Sequence, residues 1–103
     1  MRINPEEVEN LARAIREHHG AEPKFEYAVH LVETLEGHTA WSGAVSVFSL
    51  KGHPTASKCY AWSSAIERSE KRRYVAVLGE GPIDSPAAAV RTVIVQEARP
   101  RKG

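Results

Sequence analysis

The chain has 103 residues, 42% of them hydrophobic and 26% charged, with a net charge of +1. This is ordinary globular composition, which excludes a disordered chain, and the length excludes two separate cores. The single cysteine, Cys59, excludes an intrachain disulfide, a four-cysteine zinc site and a CxxC redox motif.

The near-neutral total hides an asymmetry: residues 1–50 carry four Lys/Arg and eight Glu, residues 51–103 ten Lys/Arg and five acids. A basic half can favour a polyanion, although scattered basic residues are usually a solvated face. The start of the chain has no apolar signal core, and no run approaches the ~20 apolar residues of a membrane span. A cytoplasmic protein with no membrane association is expected.

A first helix is predicted over residues 5–19. Asn4 caps it, Pro5 takes the first helical position, and Glu7 is placed to complete a capping box. Val8, Leu11, Ala12 and Ile15 form one apolar stripe, and Gly20 is the stop. Glu6, Glu7 and Glu9 suit the positive end of the helix dipole, His18 and His19 its negative end.

Four strands are predicted next. Residues 24–34 alternate, with Phe25, Tyr27, Val29 and Leu31 on one face. A turn at Glu36-Gly37-His38 leads into residues 39–50, with Trp41, Gly43, Val45 and Val47 pointing inward. Phe48 and Leu50 fall out of that phase, which signals a bulge or a strand covered on both faces. After Lys51-Gly52-His53-Pro54, residues 57–65 set Tyr60 and Trp62 against Cys59 and Ala61. Residues 67–72 read as an exposed hairpin loop, and residues 73–79 form the last strand. Short connections imply an antiparallel meander.

The glycine-rich stretch Leu78-Gly79-Glu80-Gly81-Pro82-Ile83-Asp84 then feeds a second helix, residues 86–98. Ser85 is its cap, Pro86 its first residue, and Ala87, Val90, Val93, Ile94 and Glu97 lie along one side. Its valines are poor helix formers, so it must depend on packing. The predicted fold is α+β: one domain over residues 1–98, built as helix, four-stranded antiparallel meander and helix in a two-layer sandwich. Residues 99–103 form a short basic tail. If both helices pack on the face of Trp41, Val45 and Val47, Tyr60 and Trp62 lie on an open opposite face; the sequence leaves these two undecided between core and open platform.

Signals for chemistry are sparse. The glycine-rich turn is not a dinucleotide loop: Asp84 stands where a glycine is needed, Pro82 lacks an N–H, and no strand follows the helix. His38 and His53 lie at opposite ends of one strand, and His18 and His19 point in different directions, so no metal or other cofactor is expected. Cys59 with His53 as base is a conceivable nucleophile, but a cysteine inside an apolar strand more often behaves as a small hydrophobe.

The run Trp41-x-Gly43-x-Val45-x-Val47-Phe48-x-Leu50-x-Gly52-His53-Pro54-x-Ala56-x-x-Cys59-Tyr60-Ala61-Trp62, with Val75 to Leu78 and Asp84-Ser85-Pro86, resembles small bacterial proteins of unknown function. The resemblance spans the last two thirds of the chain and groups His53, Pro54, Tyr60 and Trp62. The helix–strands–helix order is also similar to the double-stranded-RNA-binding domain. In place of that family's lysine-rich second helix start stands Ser85-Pro86-Ala87-Ala88-Ala89, with Arg91 nearby.

The leading expectation is a non-enzymatic module that binds a protein or a second copy of itself, through His53, Tyr60 and Trp62. A homodimer would place Tyr60 and Trp62 near its centre. Nucleic-acid binding through Lys71, Arg72, Arg73, Arg101 and Lys102 is the alternative, and a small enzyme using His53 and Cys59 is third.

Overall fold

The computed structural model describes residues 4–66 and 68–98. Helix α1 (Pro5–His19) is followed by strands β1 (Glu22–Leu35), β2 (His38–Lys51), β3 (Lys58–Ala65) and β4 (Arg72–Leu78), then by helix α2 (Pro86–Ala98). The strands form one antiparallel sheet in the order β1-β2-β3-β4. The α+β class, the element order and the meander are those expected. Among the described residues no helix is long and apolar enough to cross a membrane.

Both helices start where their caps place them. The Asn4 side chain accepts the Glu6 N–H at 2.8 Å, and Ser85 Oγ accepts the Ala88 N–H at 3.1 Å. Helix α1 ends at Gly20, whose left-handed φ of 65° lets its N–H reach the Arg16 carbonyl. Glu7 does not close a capping box. Its carboxylate turns across the sheet to Ser63 instead.

The two helices cover opposite faces, which corrects the two-layer expectation to three layers: helix, sheet, helix. On one face Leu11, Ala12 and Ile15 of α1 pack with Phe48, Cys59 and Ala61, joined by Phe25, Leu50, Tyr74 and Ala76. On the other, Ala89 and Val90 of α2 pack with Val45, Val47, Tyr60 and Trp62, joined by Val29, Leu31, Trp41, Val75 and Val77. The physical reason is the apolar content of both faces. Neither the phenylalanine side nor the valine side can be left to water, so each takes one helix. Phe48 and Leu50 therefore need no change of phase in β2; they occupy its second covered face.

Two register shifts refine β1 and β2. Phe25 pairs with Phe48 and Tyr27 with Val47, so Glu26 is an extra, unpaired residue. This bulge turns Phe25 to the α1 face, away from Val29 and Leu31, where its ring meets Phe48 edge-on at 5.7 Å. The second shift leaves Ala40 unpaired between Thr39 and Trp41.

Candidate functional site

Tyr60 and Trp62 do not form an open platform. Tyr60 sits opposite Val47, and directly opposite residues of an antiparallel pair share a face. Both aromatic residues therefore join Trp41, Val45 and Val47 under α2, and each is only 3% exposed. Burial also raises the Tyr60 phenol above its ordinary range.

The distinctive feature lies where β2 and β3 part. Their ladder runs only from Ser46 opposite Ala61 to Ser49 opposite Lys58. Beyond it β2 stays paired with β1 as far as His38, and β3 stays paired with β4 as far as Ala65. The sheet therefore forks, and each prong turns an unpaired backbone edge toward the gap. On the α2 side the fork is plugged. The Trp41 and Trp62 indoles meet edge-on at 5.8 Å and leave a cavity of about 70 Å³ against Val90, Val93 and Ile94. Gly43 makes room for this plug, since a Cβ there would lie 3.1 Å from the Trp41 ring.

On the α1 side the fork is open. A cleft of about 490 Å³ lies beneath the first turns of α1, its walls formed by Ser42, Gly43 and Ala44 of β2 and Ser63, Ser64 and Ala65 of β3. Trp41 and Trp62 also line it, so its lining combines small side chains, aromatic rings and strand edges. Its rim carries a polar chain: Arg72 Nε donates to Ser63 Oγ at 2.8 Å, and Ser63 Oγ donates to Glu7 Oε2 at 2.8 Å. Arg72 also donates to the Ser63 carbonyl at 3.2 Å. Glu7 Oε1 is buried with no hydrogen-bond partner among the described residues.

The remaining expected site residues are engaged elsewhere. His53 Nδ1 accepts the backbone N–H groups of Thr55, at 3.2 Å, and Ala56, at 2.9 Å. The ring thus closes its own turn through Nδ1. Cys59 is fully buried on the α1 face, where burial pushes its thiol up to about 12. A thiol shut away from solvent, with its thiolate disfavoured by that burial, is a poor nucleophile. Among the described residues no three His, Cys, Asp or Glu side chains are grouped to hold a metal ion. The glycine-rich turn uses its own N–H groups: Gly79 donates to Lys58 at 2.8 Å and Ile83 to Glu80 at 3.0 Å.

Of the basic residues proposed for nucleic acid, Arg101 and Lys102 lie outside the described residues. Lys71 and Arg72 share a groove with Glu6, Glu7 and Glu70, so phosphate approaching them also meets three carboxylates. Arg73 lines the small cavity beside α2.

The cleft residues Glu7, Ser42, Ser63 and Ser64 carry no sequence motif. The one local signal is Trp41-x-Gly43, a large ring two residues from a position without a side chain. Comparison with protein families, with characterised proteins and with solved structures finds no match to this chain.

Proposed function

We propose that the chain is a non-enzymatic, cytoplasmic protein-interaction module, and that the cleft in the forked sheet takes an extended segment of a protein partner. The observation that carries this reading is the early end of the β2–β3 ladder. It leaves two strand edges unpaired beside a cleft of about 490 Å³, within the ~300–1,000 Å³ typical of ligand sites. Backbone N–H and C=O groups need partners, and an added strand supplies them in the geometry a sheet edge offers. Trp41 and Trp62 give an incoming side chain an apolar floor, while Arg72, Ser63 and Glu7 offer polar contacts at the rim.

Self-association as a homodimer belongs to the same reading. The face of Tyr60 and Trp62 does not serve it, because α2 occupies that face.

The test is selection from a displayed library of nine-residue peptides, followed by calorimetry on the wild type and Ser42→Phe. Ser42 is exposed and lines the cleft, so the larger ring fills the site without entering a core. Peptides that bind the wild type and lose at least about tenfold with Ser42→Phe, about 1.4 kcal/mol, support the reading. A library that yields no binder, or binders indifferent to Ser42→Phe, refutes it.

A further inference from the structure

We infer that the outer edge of β1 is a self-pairing surface, where residues 27–35 of two copies join antiparallel into one continuous eight-stranded sheet. The inference rests on the self-association reading and names the surface that performs it.

The two edges of the sheet are built differently. Strand β4 is short, with seven residues, begins with Arg72 and Arg73, and has the Ala76 carbonyl 3.0 Å from His19 Nε2. Short length, charge and contact with a neighbouring element are devices that keep an edge from pairing. Strand β1 is an outer strand of 14 residues, and its protection is confined to its start: Pro23, Lys24 and the bulge at Glu26. From Tyr27 onward the one irregularity is the register shift at Glu33/Thr34, whose extra residue, Ala40, lies on β2 and not on the outer strand. Apart from the Tyr27 phenol, His30 is the only exposed titratable side chain of that segment, because Glu33 is buried in an ion pair with Arg91 of α2.

The same segment concentrates exposed apolar surface. Tyr27 is 50% exposed, Val32 54% and Leu35 41%; the other large exposed apolar side chains of the described residues are Ile66 and Val95. A free strand edge bearing three such residues is a template for another strand.

The occupant is a second copy because this edge complements itself. Directly opposite residues in an antiparallel pair share a face, so a two-fold register that keeps both faces in phase must centre on a residue. Centring on His30 sets that ring against its own copy and Tyr27 against the partner's Glu33. Centring on Val29 pushes Leu35 back to the bulged start of the partner's strand. Centring on Leu31 sets Tyr27 against the partner's Leu35 and His30 against the partner's Val32. Within residues 27–35 no like charges then face each other and all three exposed apolar residues are covered; Glu26 and the partner's Glu36 meet only outside the joint, at the bulge and the turn.

Sedimentation equilibrium of the full chain over a wide concentration range is the test, on the wild type, Val32→Lys and Tyr27→Lys. Both positions are at least half exposed, so the substitutions leave the core intact. The expected result is a wild-type dimer whose dissociation constant rises at least about tenfold in each variant, since each places an unpaired charge inside the joint. Amide exchange of the wild type gives a second readout: residues 27–35 should slow as concentration rises, while β4 does not change. A wild type that stays monomeric at the highest concentration overturns self-association and the inference together. A dimer indifferent to both lysines, or with no concentration-dependent slowing on β1, leaves self-association standing and overturns the assignment to this edge.

Discussion

Val90→Ala should cost about 2 kcal/mol of stability, while Val95→Ala, five residues further along α2, should cost nothing. Val90 is 1% exposed and packs with Val45, Val47, Tyr60 and Trp62, whereas Val95 is 51% exposed. Removing two buried methyl groups loses about 1.6 kcal/mol of transfer free energy at ~0.8 per group. The cavity left behind adds to that, because a packed core relaxes only in part. Alanine is the better helix former by about half a kcal/mol, which offsets some of the loss at position 90 and is the main effect at position 95. Urea unfolding followed by far-ultraviolet circular dichroism measures both. With a slope of about 1–3 kcal/mol/M, Val90→Ala lowers the midpoint by about 0.7–2 M, and Val95→Ala leaves it unchanged or slightly raised. Equal effects at the two positions would refute the packing of α2 on the tryptophan face, and with it the three-layer arrangement.

Two further outcomes test the caps and the buried thiol. Ser85→Ala removes the acceptor for the Ala88 N–H and should lower stability by about 1 kcal/mol in the same urea assay; an unchanged midpoint would mean that the cap is idle. Cys59 binds its proton more tightly when folded than when unfolded, with its thiol pushed up to about 12. Between the ordinary thiol range and about pH 12, the unfolded state therefore releases a proton that the folded state keeps. Stability should fall as pH rises through that window, by about 1.4 kcal/mol per unit at most, and the slope should be shallower in Cys59→Ala. The two proteins losing stability in parallel above pH 9 would contradict this burial of the thiol.

Local signals carried the elements. Asn4-Pro5 and Ser85-Pro86 mark the helix starts in the sequence and do so in the structure, because a cap is decided by neighbours within three residues. Strand alternation was legible for the same reason. The bulge at Glu26 was not: it depends on which residue of β2 lies opposite, and it reversed the face of Phe25. The choice of face for each helix is also non-local. Its trace in the sequence was the apolar character of both sets in β2, Val45 and Val47 on one side, Phe48 and Leu50 on the other. The cleft was the least legible part. Where a ladder stops depends on packing between residues far apart in the chain, here the Trp41 ring of β2 against the Trp62 ring of β3, and that is not written in any one segment.

The two tryptophans of the chain make the central claim directly measurable, because each gives one indole N–H signal in a proton–nitrogen correlation spectrum and both line the cleft. On titration with a peptide selected against the folded protein, both indole signals should shift together with the backbone amides of Gly43, Ser63 and Ser64, and Ser42→Phe should abolish the shifts. A peptide that binds while both indole signals and these amides stay fixed would contradict a binding site in the fork of the sheet.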